Sequence, residues 1–222
     1  MTSLRPGVLF DVDGTLVDTN YLHTLAWSRA LRMTGEWAPM NAIHRLVGMG
    51  GDQLVVRLLG HDSPEAEKAR PERYRELMGD ARAFPCSAEL LVEVAAVGAA
   101  VVLATSSPPD ELEAALSLVG APGSAIAATT TAGDVRRTKP APDIFETALA
   151  AGSVDRSRAV VVGDSVWDVE AASAARLPCV GVESGGFSEH ELADAGAMAV
   201  YRDVADLLEH LGDSPLVTVT TA

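Results

Sequence analysis

Short apolar segments alternate with amphipathic segments along most of the chain. The apolar segments are rich in valine and alanine and predict strands at residues 7–12, 99–104, 125–129, 159–163, 179–182 and 198–201. Helical periodicity marks the segments at residues 88–96, 110–119, 142–151, 166–174 and 204–211. Because several strands are apolar throughout instead of alternating, they are expected to be buried on both faces. The pattern predicts an α/β fold in which helices cover a parallel sheet.

One long segment interrupts this alternation. Between Thr19 and Phe84 no strand is predicted, and helices are expected at residues 23–31, 40–46, 53–59 and 65–78. Because this segment lies between the first two strands, it predicts an all-helical cap inserted into the α/β core. The predicted division is residues 1–18 and 85–222 for the core and 19–84 for the cap. Residues 213–222 predict a frayed end or a loose edge strand.

The composition excludes several classes of partner. Of the 222 residues, 48% are hydrophobic, and the net charge is −14 at pH 7. Nucleic-acid surfaces need clustered Lys and Arg, so no nucleic-acid partner is expected. No apolar run reaches the roughly 18 residues of a membrane span, and the first run is too short for a signal peptide. We therefore expect a soluble cytoplasmic protein with no membrane partner, either a monomer or a weak homodimer.

Polar residues that directly follow three predicted strands carry the candidate chemistry. Asp11, Thr105 and Asp164 each come immediately after an apolar run. The carboxyl ends of parallel strands lie at one edge of the sheet, where ligands bind, so these side chains are expected to converge. Lys139, in a Thr-Lys-Pro sequence before a predicted helix, supplies a cation that can reach the same edge. Lys139 and Lys68 are the only lysines in the chain.

The carboxylates come in two closely spaced pairs. Asp11 and Asp13 point the same way on an extended backbone, and Asp164 and Asp168 share one face if a helix begins near Ser165. Like charges this close are costly unless a cation lies between them. Oxygen ligands without a nearby His or Cys favour Mg²⁺ over a softer metal.

Four motifs resemble, in order and spacing, those of the haloacid dehalogenase superfamily of phosphohydrolases: DVDGTLVD, LATSS, KPAPDIF and GDSVWD. One motif alone would be a weak signal, but four in order are specific, and the resemblance covers nearly the whole chain. The helical segment resembles the α-helical cap of the subgroup with phosphoglycolate phosphatases and β-phosphoglucomutases. The resemblance implies a Rossmann-like parallel-sheet core, an inserted helical cap and a small phosphorylated metabolite as substrate.

The resemblance also implies catalytic roles. Asp11 would be the nucleophile that forms an aspartyl-phosphate, and Asp13 would protonate the leaving oxygen and then activate water. Thr105 and the backbone N–H of Ser106 would bind phosphoryl oxygens. Lys139 would bridge the nucleophile and the phosphate.

A metal site follows from the same resemblance. Asp11, the main-chain carbonyl of Asp13 and Asp164 would ligate Mg²⁺, while Asp168 would hold the metal's waters and pair with Lys139. With Asp13 protonated for the acid step, the other three carboxylates are balanced by Mg²⁺ and the lysine. A phosphate dianion would then meet a site near neutrality, as phosphoryl transfer requires.

The cap offers two candidate substrate contacts. His23 lies where a cap helix begins beside the site, although a structural histidine fits the sequence equally well. Arg45 and the glycine-rich turn at residues 48–52 are expected to lie over the crevice and to help set specificity. An ordinary helix–helix connection is the alternative for this turn.

Several alternative activities are weighed against these motifs. The dehalogenases of the superfamily lack a carboxylate at the position of Asp13, and Lys68 lies too far along the cap for the Schiff-base lysine of phosphonatases. The mutases carry an arginine where this chain has Gly50 and Gly51. The predicted function is therefore a Mg²⁺-dependent phosphatase acting on a small phosphomonoester. A β-phosphoglucomutase-like mutase is the alternative, and a non-catalytic phosphate-binding module is less favoured.

Overall fold

The computed structural model describes residues 4–221, with the backbone only for Asp52 and residues 219–221. Residues 1–3 and 222 of the predicted core lie outside the described residues. The strands are β1 (Arg5–Phe10), β2 (Val17–Asp18), β3 (Arg82–Ala83), β4 (Ala100–Ala104), β5 (Ala128–Thr130), β6 (Val154–Gly163), β7 (Cys179–Val182) and β8 (Ala199–Tyr201). The α-helices are α1 (Asn20–Met33), α2 (Met40–His44), α3 (Gly51–Leu59), α4 (Pro64–Arg75), α5 (Ser87–Ala96), α6 (Pro109–Val119), α7 (Asp143–Ala151), α8 (Val166–Ala174), α9 (Glu189–Ala195), α10 (Val204–Glu209) and α11 (Pro215–Thr221).

Six strands form one parallel sheet in the order β5-β4-β1-β6-β7-β8. Strand β1 is central, since Val8 pairs with Val101 of β4 on one side and with Val160 of β6 on the other. The strand order therefore reverses direction at β1, which is the arrangement of the Rossmann fold. In such sheets the ligand crevice lies at this reversal, beyond the carboxyl ends of the strands. The predicted α/β fold is confirmed.

Apolar layers cover both faces of the sheet. Because side chains alternate along a strand, Val8 and Phe10 of β1 pack into the layer on one face, and Leu9 packs into the layer on the other. All three side chains are fully buried. This packing holds the end of β1 rigidly, and Asp11 follows directly, with its backbone N–H donating to Val162 O at 2.9 Å.

Helices α1–α4 lie between the short strands β2 and β3 and form the inserted cap. They enclose a small apolar core of their own, which includes Trp27, Leu31 and Ile43. The two chain segments that join the cap to the core pair as an antiparallel ribbon, with Val17 opposite Ala83. We keep residues 1–18 with 85–222, and 19–84, as the proposed domain division.

The C-terminal segment differs from its prediction as a frayed end or edge strand. It forms α11, begun by Pro215, and Leu216 is buried in the core layer that contains Val8. The β-branched residues that follow suggest a strand, but proline at the first helical position and burial of Leu216 favour a helix. The prediction for the described part of this segment is therefore wrong.

Helix α9 was not predicted because its sequence lacks an apolar stripe. It begins with a capping box: the backbone N–H of Glu191 donates to Ser188 Oγ, and the backbone N–H of Ser188 donates to the Glu191 carboxylate. Within the described residues, no helix combines the length and apolarity that a membrane crossing requires.

Candidate active site

The structure brings the polar residues at the strand ends to one edge of the sheet. Asp11 follows β1, Asp164 follows β6, and Asp168 lies in the first turn of α8. One carboxylate oxygen of each lies within 4.8 Å of the others, and all three residues are buried. Parallel strands that end together produce this cluster, although the residues are up to 157 positions apart in sequence.

Lys139 lies between two of these carboxylates. Its Nζ is 2.5 Å from Asp11 Oδ1 and 2.7 Å from Asp168 Oδ1, and the side chain is fully buried. Burial alone would lower the pKa of Lys139, but the charges of Asp11 and Asp168 outweigh it and hold this pKa above its ordinary value. The lysine is therefore charged, and its compact ammonium fits where a planar guanidinium would need more room.

The carboxylate cluster has the chemistry of a hard divalent cation site. Burial and the neighbouring acids raise the pKa of Asp11 to about 7 and hold that of Asp164 well above its usual range. Asp164 is oriented by Thr15 Oγ1, which donates to its Oδ1 at 3.1 Å, and by Asn20 Nδ2, which donates to its Oδ2 at 2.8 Å. The donors of the cluster are all oxygens, without His or Cys, so the residues fit Mg²⁺.

Asp168 is held in place by the start of its own helix. Its Oδ2 accepts hydrogen bonds from Ser165 N at 3.2 Å and from Ser165 Oγ at 2.5 Å. The backbone N–H of Asp168 donates in turn to Ser165 Oγ at 3.3 Å, and the two backbone N–H bonds together form a capping box. The other oxygen, Oδ1, is thereby directed to Lys139.

The Asp13 carboxylate is not part of this cluster and is surrounded by donors. Its Oδ1 accepts from Thr19 Oγ1 at 2.7 Å and from His23 Nε2 at 2.9 Å, and its Oδ2 accepts from Ser107 Oγ at 2.7 Å and from Thr105 Oγ1 at 3.3 Å. Burial would raise the pKa of Asp13, but the His23 ring and the hydroxyl groups of Thr19 and Ser107 hold it below its ordinary value. In this state Asp13 is a carboxylate.

His23 connects Asp13 to a buried ion pair between cap and core. Arg70 of α4 contacts both His23 Nδ1 and the Glu111 carboxylate of α6. Because a guanidinium only donates, Nδ1 accepts, and the ring donates its Nε2–H to Asp13. The ring also stacks on Tyr74 at 4.2 Å between centroids.

Sequence reasoning missed Thr19, Arg70 and Glu111 at the site. They belong to no motif, and their roles depend on how the cap packs on the core, which hydrophobic periodicity does not reveal. Only Thr19 carried a signal, because it directly precedes the first cap helix and adjoins the first motif.

A cavity of about 250 Å³ lies between the core edge and the cap. The core side contributes Asp11, Asp13 and residues 105–108, and the cap side is mostly apolar. His23 and Gly48, Met49 and Gly51 of the glycine-rich turn line this cavity, whereas the side chain of Asp52 lies outside the described residues.

Arg45 requires a correction to its expected position. It does not line the cavity: its guanidinium pairs with Glu191 of α9 and lies 4.0 Å from the centroid of the Phe187 ring. These partners draw the side chain toward the core surface beside α9. The sequence-based role of Arg45 as a substrate contact does not fit this placement.

Comparisons with known proteins give consistent results. The model of the haloacid dehalogenase-like hydrolase family matches residues 6–176. Protein CbbY of Cereibacter sphaeroides is 33% identical over 215 residues, covering 90% of this chain and 93% of that protein. A phosphoglycolate phosphatase of Rhodospirillum rubrum is 33% identical over 221 residues, covering 92% and 90%. The crystal structure of a hydrolase from Pseudomonas syringae has a TM-score of 0.88 and 32% identity, covering 94% of this chain and 99% of that chain.

Proposed function

Because this chain belongs to the haloacid dehalogenase-like hydrolases and is a phosphoric monoester hydrolase of that family, we propose that it is a Mg²⁺-dependent phosphatase of a small phosphomonoester, acting through an aspartyl-phosphate on Asp11. The observation that carries the proposal is the position of Lys139, buried between Asp11 and Asp168 at the edge of a three-carboxylate cluster. A carboxylate attacks a phosphate dianion only where positive charge offsets their repulsion. Lys139 supplies positive charge directly beside Asp11, the proposed nucleophile.

Asp11 and Asp164 would hold Mg²⁺ directly and Asp168 would hold its waters, with the Asp13 main-chain carbonyl as a further expected ligand. The bound ion would supply charge to offset the phosphate dianion. Lys139 holds Asp11 Oδ1 and so fixes the orientation of the nucleophile. Thr105 Oγ1 and the Ser106 N–H would bind phosphoryl oxygens, which is positioning of the kind that phosphoryl transfer depends on.

Asp13 would act as the general acid and then as the base. In the described state it is ionised, because the His23 ring and the hydroxyl groups of Thr19 and Ser107 donate to it and lower its pKa. The hydroxyl groups of Ser107 and Thr105 adjoin the proposed phosphoryl site, so a bound phosphate would compete for them. Losing these donors and gaining an adjacent negative charge would both raise the pKa of Asp13, which favours the protonated form that the first step needs.

The alternative mutase function would require a cation that grips a second phosphate. Arg45 lies outside the cavity, and the Arg70 guanidinium is paired with Glu111. The cavity therefore favours the phosphatase over the mutase. A non-catalytic module is also less favoured. Binding a phosphate without reaction would require neither a carboxylate at Asp11 held by Lys139 nor a second carboxylate at Asp13 held by four hydrogen-bond donors.

Phosphate release from p-nitrophenyl phosphate, with and without Mg²⁺, tests the proposal. The wild type should turn over only with Mg²⁺, and Asp11→Asn and Asp13→Asn should abolish turnover. Asp62→Asn, at an exposed position of the cap, is the matched control and should retain full activity. Unchanged turnover in both active-site variants would reject the assignment.

A further inference from the structure

The cap side of the cavity is built from apolar side chains. Trp27, Val47, Met49, Leu54 and Pro71 line it. A Cβ atom at Gly51 would lie 2.8 Å from Trp27 Cζ2, so the glycine allows the indole ring to lie against the backbone of the turn. A flat indole beside aliphatic side chains favours a ligand that presents an apolar face.

The charge on this side of the cavity is already compensated. Among the lining side chains that the structure describes, Arg70 is the only one with a guanidinium or ammonium group. Its Nη1 pairs with Glu111, its Nη2 donates to His23, and both partners are buried. Glu111 offsets the charge of this guanidinium, and each of its Nη atoms already has a partner within the protein, whereas the Nε–H has none.

A second anionic group on the substrate would therefore meet apolar surface and a guanidinium whose charge Glu111 already offsets. Desolvating an unpaired anion is costly, and like charges placed together disfavour binding. A hydroxyl group carries no such cost, and an apolar ring face gains contact with Trp27. The arrangement thus discriminates by charge within the set of phosphomonoesters.

We propose that the leaving group of the substrate is an uncharged small alcohol with an apolar face, such as a cyclic polyol, and that phosphomonoesters carrying a second carboxylate or phosphate are disfavoured. This inference rests on the proposed phosphatase function and sets its substrate class. It distinguishes the chain from a phosphatase whose substrate, like phosphoglycolate, carries a carboxylate.

Binding to the inactive Asp11→Asn variant, measured by calorimetry with Mg²⁺, tests the inference apart from turnover. The probes form two pairs that differ by one anionic group: 2-hydroxyethyl phosphate against 2-phosphoglycolate, and glucose 1-phosphate against glucose 1,6-bisphosphate. In each pair, the compound whose leaving group is uncharged (2-hydroxyethyl phosphate or glucose 1-phosphate) should bind at least about tenfold more tightly. Equal or tighter binding of the anionic members, or no binding of any probe, would overturn the inference.

The Glu111→Gln variant tests the role of charge compensation, because it keeps the side-chain shape and removes the charge opposite Arg70. It should raise kcat/KM for 2-phosphoglycolate relative to 2-hydroxyethyl phosphate by about tenfold. A merely structural role would lower kcat/KM for both substrates alike, and that result would contradict the charge argument. Glu113→Gln, exposed on the same helix, is the matched control and should leave the ratio unchanged.

The two levels of the account fail separately. Wild-type turnover without a preference for neutral leaving groups would leave the phosphatase in place and reject the substrate class. A preference of Asp11→Asn for neutral probes, with no wild-type turnover, would reject the phosphatase and retain the binding selectivity.

Discussion

His23 in the cap donates a hydrogen bond to Asp13 in the core, with 2.9 Å between Nε2 and Oδ1. The bond links closure of the cap to the orientation of the proposed general acid. A cap that moved away would remove this donor and the Arg70–Glu111 ion pair together. Any opening of the cap would therefore also take apart the contacts that orient the proposed proton-transfer group.

The His23→Ala variant should lower kcat by about tenfold to a hundredfold with little change in KM, because Asp13 loses a donor that fixes its position. Steady-state kinetics with p-nitrophenyl phosphate measure both constants. His61→Ala, at an exposed cap histidine, is the control and should match the wild type. An unaltered kcat in His23→Ala would show that the hydrogen bond has no part in the reaction.

The two lysines of the chain provide a matched pair of variants. Lys139→Met leaves Asp11 and Asp168 buried without their cation, and should lower the free energy of unfolding by about 3 kcal/mol and abolish turnover. Lys68→Met, at an exposed cap position, should change neither. Urea unfolding followed by circular dichroism gives the stabilities. Equal stability and activity of the two variants would rule out the proposed role of Lys139.

Mg²⁺ should stabilise the protein more strongly at high pH than at low pH. Burial raises the pKa of Asp11 to about 7 in the metal-free protein, from an ordinary value of 3.8. Between these values the folded protein holds a proton that the unfolded chain has released, so metal-free stability falls as pH rises through this window. Because Mg²⁺ binds the deprotonated carboxylate, the stabilisation that it gives should grow as pH rises.

Calorimetric melting at about pH 6 and about pH 8, with and without Mg²⁺, measures this effect. The rise in Tm on adding Mg²⁺ should be larger at the higher pH, and NaCl of equal ionic strength should not reproduce it. A rise in Tm of the same size at both pH values would show that Mg²⁺ binding does not displace a proton from Asp11 or Asp164.

Gly185 is expected to be essential for the cation site. A Cβ atom there would lie 1.7 Å from Asp164 Oδ2, so Gly185→Ala must displace this carboxylate. The affinity for Mg²⁺, measured by isothermal titration calorimetry, should fall at least about tenfold. Gly212→Ala, where a Cβ atom meets nothing within 4 Å, is the control. Wild-type affinity in Gly185→Ala would exclude Asp164 as a ligand.

The sequence was informative where the chemistry depends on strand ends. Asp11 and Asp164 follow apolar strands, and a parallel sheet brings the carboxyl ends of its strands to one edge independently of loop conformation. The capping box of Ser165 and Asp168 is likewise local and readable. These features required only periodicity, spacing and the four motifs.

Features that depend on packing between distant segments could not be read in this way. Arg70 of α4 contacts Glu111 of α6 across the boundary between cap and core, and nothing in either local sequence indicates the pairing. The expected place of Arg45 over the crevice failed for the same reason, since Glu191 and Phe187 are its partners. The β-branched residues of the C-terminal segment disfavour a helix locally, and the helix forms because Leu216 is buried in the core.

The most direct measurement of the central claim is chemical trapping of the phosphorylated residue. The wild type with Mg²⁺ is mixed with p-nitrophenyl phosphate, quenched in acid within the first turnover, and treated with borohydride, which reduces an acyl phosphate to an alcohol. Mass spectrometry of the peptides should locate the reduced residue at Asp11, and omission of Mg²⁺ should abolish it. Phosphate release with Asp11 unmodified throughout, or reduction at Asp13 instead, would contradict the account.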